Sequence, residues 1–178
     1  IKELESHHWK HTYGQAAWDK EKVRLEKVRN LILSIDDRIS VDITGFGANT
    51  NEFIAGHPDE AGKPDLEIRM AHNGATILWL EVTGTEFMRG ETYWVRPDKL
   101  EYAKNHPELD VWLALHFASP EKFVFIKPNH NTNYTPVLEK IRQSGEWMVH
   151  FDDNHADVIP VQDFVQHLKN KINASIVG

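Results

Sequence analysis

From Ala16 to Ile35 the apolar residues Trp18, Leu25, Val28, Ile32 and Ile35 recur 7, 3, 4 and 3 positions apart, the spacing of one face of a helix. Glu21 falls on the same stripe, a carboxylate where the pattern asks for an apolar side chain. Asp36-Asp37 close this helix. Over Arg38–Phe46, Ile39, Val41 and Ile43 then alternate with Ser40, Asp42 and Thr44, as a half-buried strand does. Residues 47–64 carry Gly47, Gly56, Gly62, Pro58 and Pro64 and read as a long loop.

Two further strands are expected at Asp65–Met70 and Thr76–Thr83, joined through His72-Asn73-Gly74; Asn-Gly is a strong hairpin signal. Ile77-Leu78-Trp79-Leu80 is an unbroken apolar run that fits a strand buried on both faces, and Glu81 interrupts it. Gly84 to Trp94 reads as loop. Pro97 sits where a helix begins, and Lys99–Asn105 continues it. Val111–Phe117 and Lys122–Ile126 predict strands, Pro136–Ser144 a helix, and Trp147–Phe151 a strand. Val161–Ile172 predicts a terminal amphipathic helix on Val161, Phe164, Val165, Leu168 and Ile172. The order α, β, β, β, α, β, then β, α, β, α shows no repeat and no linker, and defines one mixed α/β domain over residues 1–178.

Composition agrees with a globular domain. The chain has 178 residues, 40% hydrophobic and 26% charged, and a chain of this length buries about 70% of its unfolded surface without a staple. The absence of cysteine excludes disulfides, thiolate zinc sites and cysteine nucleophiles. No stretch of about 18 uncharged apolar residues is present to span a membrane, and Ile1-Lys2-Glu3-Leu4-Glu5 lacks the apolar core of a secretory signal. These features favour an intracellular protein.

The net charge of -7 argues against a general polyanion binder. Its distribution changes that picture. Residues 1–35 hold 7 basic and 5 acidic groups (+2), and residues 36–75 hold 3 and 8 (-5). The acid excess centres on the long loop and the strand after it.

Three carboxylates stand out in that frame. Asp65 follows Pro64 at the start of the second strand, Glu81 ends the apolar run of the third, and Glu21 lies on the first helix's stripe. A buried carboxylate is costly unless paired or bound to a metal. A hairpin sets the open ends of its strands side by side, so Asp65 and Glu81 are expected to converge on one ion. Mg²⁺ takes oxygen ligands and keeps waters, which suits two carboxylates plus phosphate oxygens. Each residue also has a plain structural role open to it. Asp65 can cap a turn, Glu81 can form a strand-end salt bridge, and Glu21 can sit in a solvated first turn.

Pro64-Asp65 on one strand and Glu81-Val82-Thr83 on the next, in an αβββαβ order, resemble the PD-(D/E)XK nuclease superfamily, with its restriction-endonuclease-like core. The resemblance covers about residues 16–118, and residues 119–178 read as an added C-terminal strand–helix layer. It implies a Mg²⁺-dependent endonuclease, with Mn²⁺ as substitute, that hydrolyses DNA phosphodiester bonds to leave a 5′-phosphate. Asp65 and Glu81 match the metal-binding acids; Glu21, with Glu26 as substitute, matches the helix glutamate. The third motif position should be Lys and is Thr83, whose hydroxyl does not replace an ammonium that orients water or balances charge. Members of the superfamily draw this group from elsewhere, often the following helix, which points to Lys99, then Lys104; Lys63 is another source. The alternative is an inactive domain of the same scaffold that binds DNA or protein.

Other motifs rank lower. His7, His8 and His11 have metal-compatible helical spacing but lie at a terminus. His150–Asp157 reads as a strand-end turn and lacks the Gly and Glu of an EF-hand loop. His116 lies in an apolar strand, as core histidines do. Gly45-Phe46-Gly47 has no Lys-Ser/Thr after it and is no P-loop. Arg89, Arg96 and Tyr93-Trp94 suit phosphate contact and base stacking, or the rim and core of a loop. A homodimer whose basic first helices line a groove would reconcile the net charge with DNA.

Overall fold

The computed structural model describes residues 2–45, 64–141 and 143–177, with side chains in the first helix described at Ala16 and from Asp19 onward. The chain is mixed α/β. Helix α1 spans Lys2–Leu33, starting well before Ala16. The apolar stripe marks where Leu25, Val28 and Ile32 of α1 meet the core. Residues 2–13 contain no Gly or Pro to stop a helix, and α1 covers them too.

Strands β1 (Ile39–Ile43), β2 (Leu66–Met70), β3 (Thr76–Thr85), β5 (Val111–Ala118), β6 (Glu121–Ile126) and β9 (Val158–Ile159) form one sheet in the order β1-β2-β3-β5-β6-β9. β1, β2 and β3 pair antiparallel, and β3 pairs parallel to β5. Between β3 and β5 the chain makes β4 (Tyr93–Val95) and helix α2 (Asp98–Asn105), inside and just after the segment expected to be loop. β4 is only three residues long, too short for alternation to reveal.

The Pro136–Ser144 helix is not formed. That segment is β7 (Val137–Ile141), which pairs antiparallel with β8 (Ser144–Phe151) through Ile141↔Ser144. Gln143 takes a φ of 67° in the tight turn between them. Val137 and Ile141 are four apart, which imitates a helical face, and Pro136 imitates a helix start. Pairing with β8 decides the outcome. β4, β8 and β7 make a separate small sheet in the order β4-β8-β7.

Two cores lie on the two faces of the large sheet. On one, α1 brings Leu25, Val28 and Ile32, and helix α3 (Val161–Val177) brings Phe164, Leu168 and Ile172, against Leu66, Ile68, Leu78 and Leu80. Asp110 fastens α3 to the sheet by accepting from His167 Nε2 at 2.6 Å and Lys171 Nζ at 2.9 Å. On the other face, Leu113, Leu115 and Phe117 of β5 meet Tyr93, Val95, Leu100, Val149 and Phe151. Side chains alternate between faces along a strand. Leu78, Leu80 and Val82 therefore enter the first core, and Glu81 is turned to the face covered by α2. Among the described residues no helix is long and apolar enough to cross a membrane.

Candidate functional site

Leu66 stands opposite Leu80 in the β2–β3 ladder. One step further the same register sets Asp65 opposite Glu81, on the face of β3 that α2 covers. Directly opposed residues have Cβ atoms about 5 Å apart. Two carboxylates are thus brought together by the hairpin that Asn73-Gly74 closes.

Asp65 is fixed by its surroundings. Its Oδ2 accepts from the Val82 backbone N–H at 2.8 Å. Its carbonyl accepts from Thr44 N at 2.9 Å and Gly45 N at 3.3 Å. Gly45 also leaves room for it, because a Cβ there would come within 2.9 Å of Asp65 Cα and Oδ1. In the sequence alone, Gly45 reads only as half of a glycine pair that is no P-loop. A glycine closing the strand that precedes a site acid is a signal of close backbone approach that motif matching overlooks.

Glu81 is only 8% exposed. Lys99, in the first turn of α2, donates from Nζ to Glu81 Oε1 at 2.8 Å. Burial first, and then the charge of Asp65, push the Glu81 carboxyl up to about 9 against the pull of Lys99. Burial works against the Lys99 ammonium, but the charges of Glu81 and Asp65 overcome it and hold the amine above its ordinary value. Two acids in contact and one ammonium make a site that is electrostatically unfinished when both acids are ionised.

A cleft of about 710 Å³ opens beside this group, bordered by Asp65, Thr83 and Lys99 on one side and by Glu21 and Leu25 of α1 on another; Glu81 itself does not border it. Trp94 and Arg96 from β4 and its exit line it too, as do Ile141, Glu146 and Met148 of the β7–β8 hairpin. Of that last wall, Ile141 falls in the segment that reads as a helix, whereas Met148 lies in the expected strand Trp147–Phe151. Glu21 shares the cleft, but its carboxylate is taken by Arg24 Nη1. Glu26 pairs instead with Arg29 at 3.7 Å. Lys104 lies 5.5 Å over the Tyr134 ring and does not border the cleft. Lys63 and the side chains of His7, His8 and His11 lie outside the described residues. Of the aromatic pair, Tyr93 is buried in the second core and Trp94 faces the cleft.

The donor set is chemically suited to a hard divalent cation. It offers carboxylate oxygens from two adjacent strands and an open cleft for waters, which is how Mg²⁺ is commonly held. Among the described residues no group of three or more His, Cys, Asp or Glu is gathered as a closed metal cage. No protein-family model matches the chain, and no curated protein matches it in sequence.

Proposed function

We propose that this chain is a Mg²⁺-dependent endonuclease that hydrolyses DNA phosphodiester bonds on a restriction-endonuclease-like αβββαβ core, with residues beyond about 118 as an added layer. The observation that carries the reading is the pairing of Asp65 and Glu81 across a hairpin with Lys99 bonded to Glu81 at 2.8 Å. The order α1, β1, β2, β3, α2, β5 supports it, with β4 inserted before α2. Lys99 supplies from α2 the ammonium that the motif position Thr83 lacks.

Asp65 and Glu81 are the residues that would hold Mg²⁺, or Mn²⁺ in its place. When bound, such an ion supplies positive charge that activates water and offsets charge at the phosphorus under attack. Asp65 is held for this by the Val82 N–H, and Glu81 by Lys99. The Lys99 ammonium orients the attacking water and balances the added negative charge. Glu21, across the cleft, is the supporting acid. Water oxygen bonds to phosphorus as the P–O3′ bond breaks. The water's proton passes to solvent, and the leaving 3′ oxygen takes one up, leaving a 5′-phosphate.

The test is cleavage of plasmid and single-stranded DNA with Mg²⁺ or Mn²⁺ by the wild type, Asp65→Ala, Glu81→Ala and Lys99→Met. We expect metal-dependent cutting by the wild type alone at full rate, with about 10²–10³-fold loss in Lys99→Met and larger losses in the acid variants. Equal cleavage by wild type and both acid variants would sink the reading. One observation favours an inactive binding module instead: Lys99 Nζ already occupies Glu81 Oε1 at 2.8 Å with no cation needed. That reading expects no cleavage with any metal, and DNA or protein binding indifferent to EDTA.

A further inference from the structure

The cleft over Asp65 continues past Thr83. Gly84, Thr85 and Arg89 border it and also border a second cleft, of about 830 Å³, between α1 and the segment that follows β3. The two are contiguous, so a chain-like ligand crossing the first has a path into the second.

The second cleft combines two chemistries. Its apolar part is exposed: Phe87 and Val23 are 60% and 58% accessible, with Met88 beside them. Its cations are Lys20, Arg24, Lys27 and Arg89, against the acids Asp19, Glu21 and Glu86. Among the described residues, four buried side-chain nitrogen or oxygen atoms lack a hydrogen-bond partner, and two of them, Arg24 Nε and His116 Nδ1, belong to residues lining this cleft. The His116 side chain is only 3% exposed, with Nε2 3.1 Å from Glu121. A buried polar atom left unpaired is expensive. Arg24 Nε is a donor at all times.

We propose that this second cleft holds the unpaired continuation of a DNA strand whose scissile phosphate lies at Asp65 and Glu81. A backbone phosphate there accepts from Arg24 Nε, and a base stacks on Phe87. The proposal rests on the nuclease reading and adds to it the substrate's form, a single strand. An exposed aromatic beside cations is the usual recipe for single-strand binding, because only an unpaired base offers a free face. In a duplex those faces are covered by neighbouring pairs.

The experiment is fluorescence anisotropy of fluorescein-labelled oligodeoxynucleotides, single-stranded and duplex, in EDTA. We expect the single strand to bind at least tenfold tighter than a duplex of the same sequence. Phe87→Ala should weaken it about tenfold, as lost base stacking does, with the salt dependence unchanged. Arg24→Gln should weaken it and lower the slope of log K against log salt by about 0.7, one phosphate contact. Phe87 is solvent-exposed, so its removal leaves the fold intact. Duplex bound as tightly as single strand, single-stranded RNA preferred over DNA, no binding, or wild-type affinity in both variants would overturn the proposal. Because cleavage is not read, a chain that binds the single strand and cuts nothing would contradict the nuclease reading and leave the single-strand cleft standing.

Discussion

Glu81 concentrates the chemistry of this protein in one side chain, since the apolar run before it carries it into the sheet and the hairpin sets it against Asp65. Its ordinary value of 4.5 is raised to about 9, by burial first and by the charge of Asp65 second. The folded chain therefore keeps a proton that the unfolded chain gives up. Stability from this source is full below the unfolded value near 4.5 and is lost as pH rises toward the folded value near 9. In metal-free buffer, the melting temperature of the wild type should thus fall relative to that of Glu81→Gln across this window. A constant difference between the two, followed by circular dichroism, would contradict the assignment. The charge in an apolar run was the legible signal for Glu81. The role of Gly45 was not, because its meaning depends on a backbone approach that only the fold creates.

Among the elements, the β2–β3 hairpin and α2 make the site, and both were readable: one from Asn73-Gly74 and its flanking apolar runs, the other from Pro97. Of the β7–β8 hairpin only β8 was, as the strand Trp147–Phe151; β7 was not. Its cleft wall is an exposed ribbon with Leu138 opposite Trp147, 56% and 57% accessible. A strand with no clean inner and outer face carries no period of two to read. The parallel pairing of β3 with β5 beside the site is a tighter constraint. Gly84 has a φ of 145°, and a Cβ there would lie 1.9 Å from the His116 carbonyl oxygen. Both the conformation and the clash are with backbone that has nowhere to go. Gly84→Ala should therefore cost about 2–5 kcal/mol, measured as a lower urea midpoint. An unchanged midpoint would show that β3 and β5 separate here at no cost.

Across the whole molecule, the net charge of -7 first argued against a phosphate-bearing partner. Charge is local where it counts. Asp65 and Glu81 are the proposed cation ligands, and Arg89 lies on both clefts while Lys20, Arg24 and Lys27 border the second. On the proposed reading, an overall acidic protein relies on a bound metal to reverse the sign at the phosphate under attack. The proposed dependence has a measurable proton count, because burial and the charge of Asp65 favour the protonated Glu81 carboxyl, which must ionise to bind a metal. The most direct test is calorimetric titration of the wild type with Mn²⁺ near pH 7 in buffers of different ionisation enthalpy. The account predicts saturable binding that releases about one proton per ion, abolished in Asp65→Asn and stripped of its proton release in Glu81→Gln. Binding of equal strength in the wild type and both variants, or no binding by the wild type, would contradict it.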